Sequence, residues 1–234
     1  MYPGSMYYYG YGEWLFAIIG VMLLSFIAQS SVKRTFYKYS RIPASSRIQA
    51  SALAKELLFN KASAVKVVPV QGSLTDHYNP KTGTVGLSQA VYSESSVAAL
   101  AVAAHEIGHV LQYEQKYVPI VVRNAILPVA NIGSQAAPFI VLIGLLMGFF
   151  QLAMFGVILF GAMLLFQIVT LPVEFNASAR AIEMLEGGGY LSYDEIGQAK
   201  KVLRAASFTY VVGALASLVT LLRLLAMARG GRRR

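Results

Sequence analysis

Four long apolar stretches decide what this chain can fold into. They run from about Trp14 to Val32, Ile126 to Gly148, Leu152 to Val173 and Ala206 to Ala228. Roughly 20 apolar residues cross a bilayer core as a helix, and each stretch is about that long. Charged residues make up 13% of the chain and hydrophobic ones 56%, against about 25% charged in a typical soluble domain. That balance excludes an ordinary water-soluble globule and a disordered chain alike. The chain has no cysteine, which excludes a disulfide framework and any thiolate metal site.

The first stretch reads as a retained signal anchor. Its leader, Met1 to Gly12, carries no Lys or Arg, and the charges follow the apolar run instead of preceding it. Trp14 stands where an interfacial anchor would. Only Phe149, Phe150 and Gln151 separate the second and third stretches, which predicts a tight helical hairpin with Pro128 and Pro138 as kink points in its first arm. Arg223 lies near the end of the fourth stretch, where its side chain can snorkel to the interface. The net charge of +9 would suit a nucleic-acid partner, but basic flanks of membrane spans account for it, and no nucleic acid is expected.

The expected organisation is a leader and first span (1–32), a polar domain (33–125), a hairpin of two spans (126–173), a second polar stretch (174–205), and a fourth span with a basic tail (206–234). Neither polar stretch is large enough to hold a core alone, so the two must meet. Ala44 to Asn60 reads as an amphipathic helix with Ile48, Leu53, Leu57 and Leu58 on one face. Val65 to Val70 reads as a strand, Asn79 to Gly83 as a turn, and Thr84 to Ser88 as the returning strand. Ser93 to Ser96 offers N-caps for a helix from about Val97 to Gln115. Phe175 to Leu185 continues as helix until Gly187-Gly188-Gly189, and Ser192 with Glu195 forms a capping-box pair for the next one. The fold class is therefore a mainly α membrane protein with about four transmembrane helices and a small α+β domain.

The helix from Val97 carries His105-Glu106-Ile107-Gly108-His109, the H-E-x-x-H pattern. Four residues advance a helix by about 400° and roughly 6 Å, so both imidazoles project from one face and can share one zinc ion. Glu106 is placed to act as general base on a water activated by the metal. Two of the three His in the chain fall inside the pattern. A catalytic zinc needs a third protein ligand, which must come from Asp, Glu or His77. Glu174, at the polar end of the third stretch, is the best placed. Glu183, Glu186 and Asp194 read as solvated, and Glu195 as part of the cap. His77 reads as a turn residue bonded to Asp76, with oxyanion donation as the other reading.

His105 to His109, followed by Glu174-Phe175-Asn176-Ala177-Ser178, resembles the membrane-bound neutral zinc metallopeptidases of the YugP type. It is also similar to the HtpX-like and prenyl-protein-peptidase-like membrane proteases. Thr75-Asp76-His77-Tyr78-Asn79-Pro80, ahead of Thr84-Val85-Gly86-Leu87-Ser88, is YugP-like as well. The resemblance implies a zincin-like domain and Glu174 as the third zinc ligand, in a bacterial cell membrane. Ser178 stands where the HtpX-like pattern has Asp, so the carboxylate that supports the metal site there is lost or replaced.

The reading is a zinc metalloendopeptidase that hydrolyses membrane or membrane-proximal proteins. His105, His109 and Glu174 hold one Zn2+, and Glu106 is the base. If the Thr84 to Ser88 strand is an edge, it can pair with an extended substrate. An oligomer or partner complex is compatible with the sequence. A site-2-type intramembrane protease is the alternative enzyme, but only eight apolar residues precede His105 and its Leu-Asp-Gly-type segment is missing. A non-enzymatic zinc-binding scaffold is the other class, and it has no use for Glu106. Positive flanks stay inside, and Lys33, Arg34, Lys38, Arg41 and Arg47 follow the first span. The expected topology is an outside N-terminus with the zinc site facing the cytoplasm. If the fourth stretch crosses, the arginines after it lie outside, against the positive-inside rule, but few residues then need translocating and the first span decides. The alternative is a re-entrant or interfacial fourth stretch with the tail inside.

Overall fold

The computed structural model describes residues 4–61 and 63–231; the first three residues of the leader and Arg232 to Arg234 of the tail lie outside the described residues. In chain order the elements are α1 (Gly4–Tyr39), α2 (Ala50–Asn60), β1 (Lys66–Val70), β2 (His77–Asn79), β3 (Thr84–Ser88), α3 (Gln89–Tyr92), α4 (Val97–Glu114), α5 (Val118–Leu146), α6 (Phe150–Gly187) and α7 (Tyr193–Gly231). Helices α1, α5, α6 and α7 are each long and apolar enough to cross a membrane. The chain is thus a mainly α membrane protein with a small three-stranded sheet.

These helices run past the apolar stretches that mark them in the sequence. The α6 helix continues unbroken from the third stretch through Glu174 and on to Gly187. Gly189, at φ +66°, then adopts the left-handed conformation that glycine tolerates best. The fourth stretch and the helix capped near Ser192 are one element, α7, because nothing between Ile196 and Ala206 breaks the pattern. The reach-back half of the capping box is present: the Ser192 N–H donates to Glu195 Oε2 at 2.7 Å. Glu195 also accepts from the Ser45 N–H and hydroxyl, which ties the start of α7 to the loop before α2.

The chain forms two compact units. The first comprises residues 1–28, 122–171 and 209–234. Its core joins Ala137 and Val141 of α5, Ala153, Val157 and Phe160 of α6, and Leu224 and Ala228 of α7. Small residues let α5 and α6 approach closely. A Cβ on Gly156 would sit 3.0 Å from the Ala137 carbonyl oxygen, the small-residue packing typical of helices in lipid. Both Pro128 and Pro138 lie inside α5, which remains one helix through them.

The second unit comprises residues 29–121 and 172–208, so both polar stretches contribute to it. Leu53, Leu57, Val85, Leu87, Leu100, Ile107, Leu185 and Leu203 meet in its core. The sheet order is β1-β3-β2, with β3 parallel to β1 and antiparallel to β2. This corrects two expectations. The hairpin partner of β3 is β2, a three-residue strand that the sequence reading took as part of a turn region. The β3 strand is central, with both of its edges already paired, so it offers no edge to a substrate. The amphipathic helix also begins at Ala50, not Ala44. The Ala44 and Ala50 N–H groups donate to the Ser95 and Glu94 carbonyls, and Pro43 bridges to Ser96, so tertiary bonds take the first six residues out of the helix.

Candidate metal centre

The H-E-x-x-H helix starts as its sequence requires. Ser96 caps α4, its hydroxyl accepting from the Ala99 N–H at 3.2 Å. The run from Val97 to Ala101 is fully buried and seats the helix in the core. One helical turn further on, His105 and His109 project from a common face with ring centroids 4.7 Å apart.

Gly108 brings the third ligand to them. A Cβ at this position would fall 2.6 Å from the Ala177 carbonyl oxygen. The backbones of α4 and α6 therefore touch here, an approach that only glycine permits. Glu174 lies one turn before Ala177 and is carried onto the histidine face. Its Oε2 is 3.5 Å from His105 Nε2 and 3.7 Å from His109 Nε2. Ligands at zinc-bond lengths in a tetrahedron stand about 3.3 Å apart, so these separations fit one zinc ion. The three ligand atoms all lie within 4.8 Å of one another, and two imidazoles with one carboxylate form a donor set that suits a catalytic zinc.

The remaining ring nitrogens are held from behind. His109 Nδ1 lies 3.0 Å from Gln112 Oε1. The Gln112 amide nitrogen donates to the Val173 carbonyl at 2.8 Å and to Asn176 Oδ1 at 2.9 Å. Both of those partners are acceptors, so the amide orientation is fixed and Gln112 Oε1 must accept from the Nδ1–H of His109. That tautomer leaves Nε2 with its lone pair facing Glu174. Asn176 Oδ1 also accepts from Arg180 Nε at 2.8 Å, and Arg180 reaches Gln115 Oε1 at 2.6 Å. On the other side, His105 Nδ1 lies 3.2 Å from Ser178 Oγ, which in turn is 3.4 Å from Ser207 Oγ. Two hydroxyls, those of Ser178 and Ser207, thus stand behind His105.

Glu106 is buried on α4, beside the two histidines. Burial pushes its carboxyl up from the ordinary value, His105 and His109 pull it down, and Asp76 and Glu174 add to the push upward. For His109, burial pulls the imidazole down, but Glu174, Glu106 and Gln112 outweigh it and the balance is upward. Asp76 is also raised by burial, against the two hydrogen bonds it accepts from Ser88, at 2.7 Å from N–H and 3.0 Å from Oγ–H. Those bonds fasten the end of β3 to the segment leading into β2.

The structure brings His105, His109 and Glu174 together and places Glu106 next to them. It leaves Glu183 and Glu186 exposed and uses Glu195 in the cap. His77 sits on β2 with its Nδ1 2.9 Å from the Thr75 carbonyl, so Thr75 is its turn partner and not Asp76. Gln112, Asn176, Ser178 and Ser207 support the site; the sequence reading marked position 178 as one that supports the metal in related proteases but gave Gln112, Asn176 and Ser207 no such role. For Gln112 the signal was available: a polar residue three positions after the second His shares its helix face. Gln112→Ala is expected to weaken zinc binding by about 10–100-fold, the usual cost of losing such a partner. Titration against a competing chelator measures it, and unchanged affinity would mean that Gln112 does not set the tautomer.

The family model described as "Putative neutral zinc metallopeptidase" matches residues 14–229. A Bacillus subtilis (strain 168) protein, "Putative membrane protease YugP", is 44% identical over 219 residues, covering 93% of this chain and 97% of that protein. No solved structure matches the chain. The chain belongs to this zinc metallopeptidase family.

Proposed function

We propose that this member of the family is a zinc metalloendopeptidase that cleaves membrane or membrane-proximal proteins. The observation that carries the proposal is the meeting of His105, His109 and Glu174 with the buried carboxylate of Glu106 beside them. When bound, zinc supplies Lewis acidity, lowering the pKa of water and polarising the scissile carbonyl. The chain's own residues do the rest. Gln112 and Ser178 hold the two imidazoles in orientation. Glu106 takes a proton from the attacking water and hands it to the leaving amine as the C–N bond breaks. Of the two edge strands, β2 is the one beside α4: Tyr78 stacks edge-on against Tyr113, with centroids 5.3 Å apart. An extended substrate pairing with β2 would pass close to that helix.

The substrate class follows from tethering. Four membrane-length helices confine the site to the neighbourhood of a bilayer. His105, Glu106 and His109 lie on α4, which is not among those helices, although Glu174 lies on α6, which is; the motif helix itself lends the intramembrane alternative no support. A storage or scaffold role leaves the buried Glu106 unexplained. Comparing membrane proteomes of cells with the wild-type chain and with Glu106→Gln tests the function. Substrates should accumulate uncut in the variant, and identical proteomes would reject the proposal.

The proposed orientation puts the zinc site on the cytoplasmic side. Basic residues follow the first apolar run and are missing from the leader. The hairpin of α5 and α6 crosses and returns, which agrees with one ion shared by His105 and Glu174. The chain has no cysteine of its own, so single engineered cysteines report cleanly. At Ser73 and Ser192 they should resist an impermeant thiol reagent in intact cells and react after lysis. Labelling of intact cells at both positions would reverse the orientation.

A further inference from the structure

Within the second unit, α1 and α7 border a groove of about 490 Å³ lined by Ser31, Arg34, Thr35, Lys38, Lys201 and Arg204, with Tyr39, Ala205 and Phe208. Helical spacing sets up both walls. Ser31, Thr35 and Lys38 repeat at intervals of four and three along α1, and Lys201, Arg204 and Phe208 at three and four along α7. Arg34, Lys38, Lys201 and Arg204 are all exposed. No carboxylate lines the groove. Among the described residues none of the four cations forms an ion pair, since the pairs present are those of Glu174 with His105 and His109. Four like charges on facing helices repel one another, so the groove is left in need of an anion.

We infer that this groove binds the phosphate-bearing headgroup of an anionic glycerophospholipid. Its position in the chain argues for lipid over a soluble phosphate. α1 is a single helix, and the turns before Ser31 expose Met22, Leu23, Phe26 and Ile27. Phe208, at one end of the α7 wall, is also exposed, and Val211, Leu215 and Leu218 follow it as exposed apolar residues. Each wall helix thus runs on from the groove into exposed apolar residues, which suits a lipid better than a soluble anion. Ser31 and Thr35 add hydroxyl donors to the phosphate oxygens. A free phosphate would use the cations and hydroxyls but none of the apolar turns. Basic pockets between membrane helices hold anionic headgroups in this way.

The test uses the full chain purified in mild detergent. It is incubated with equal amounts of phosphatidylglycerol and phosphatidylcholine, and retained lipid is counted by native mass spectrometry. The wild type should retain phosphatidylglycerol selectively. Arg34→Gln with Arg204→Gln should lower that retention by on the order of tenfold or more. Lys55→Gln with Lys61→Gln removes the same charge from exposed positions in and just after α2, outside the groove, and should leave retention unchanged. Arg34→Lys with Arg204→Lys should also retain it, which separates loss of the site from loss of the fold. Equal loss in the groove and α2 variants would reduce the effect to general surface charge and overturn the inference. So would undiminished retention in the Gln variant. Inorganic phosphate and glycerol phosphate form the last arm: if either displaces the lipid completely at matched concentration, the occupant is a soluble phosphate and the lipid assignment is wrong.

Discussion

Glu106→Gln is expected to bind zinc as the wild type does and to lose turnover by at least about 10²-fold, the lower end of what general acid–base catalysis contributes. The substitution keeps side-chain volume and removes only the capacity to take and return a proton. Glu106 is buried, and its burial opposes the ionised form. Replacing it by a neutral amide therefore relieves a desolvation cost, and the fold should hold. The metal ligands are untouched, because they are other side chains on the same and a neighbouring helix. The loss should fall on kcat with little change in KM, since the proton transfer belongs to the transition state and not to substrate binding. Zinc content, thermal unfolding and steady-state kinetics on one preparation decide the matter. A zinc-loaded variant with full activity would remove Glu106 from the mechanism.

How much was legible in the sequence depends on the range of the interaction that fixes each feature. The membrane helices follow from composition alone, because lipid imposes one requirement on every backbone group. The histidine pair follows from helical spacing, and the Ser96 cap from local chemistry. Glu174 was legible as a candidate, but what delivers it is the contact of Gly108 with Ala177, between residues far apart in the chain. The sheet shows where local reading fails. β2 is three residues long, too short for period-two alternation to register. The central place of β3 had one local clue that went unused: Pro69 in β1 cannot donate to a ladder, and that marks β1 as an edge. Likewise the start of α2 at Ala50 is set by hydrogen bonds to Glu94 and Ser95, which no window around Ala44 contains. The contacts behind the histidines were hidden for the same reason, because Ser178 and Ser207 lie on different helices and meet His105 only in the fold.

Glu174→Ala is expected to reduce zinc affinity by more than the roughly 10–100-fold that loss of a supporting partner costs, because it removes a ligand outright. Glu183→Ala and Glu186→Ala should bind zinc as the wild type does. All three acids lie on α6, so the comparison holds helix and charge change constant and varies only reach. Glu183 and Glu186 follow Glu174 by nine and twelve residues, which is about 13 and 18 Å along a helix axis, whereas a carboxylate must approach zinc to about 2.0–2.2 Å. Glu174 is buried at 3% exposure and pairs with both imidazoles, so its removal leaves them without their carboxylate and is expected to lower the metal-free Tm. Loss of the ligand is therefore read from the change in Tm that zinc produces, not from the metal-free Tm itself. The increase in Tm on adding zinc should shrink, because a ligand stabilises the fold only in proportion to the logarithm of its concentration over Kd. In the wild type and in the Glu183 and Glu186 variants that increase should be full. An undiminished zinc-dependent rise in Glu174→Ala would assign the third ligand to another residue, even though Glu174 stands 3.5 and 3.7 Å from the two imidazole nitrogens.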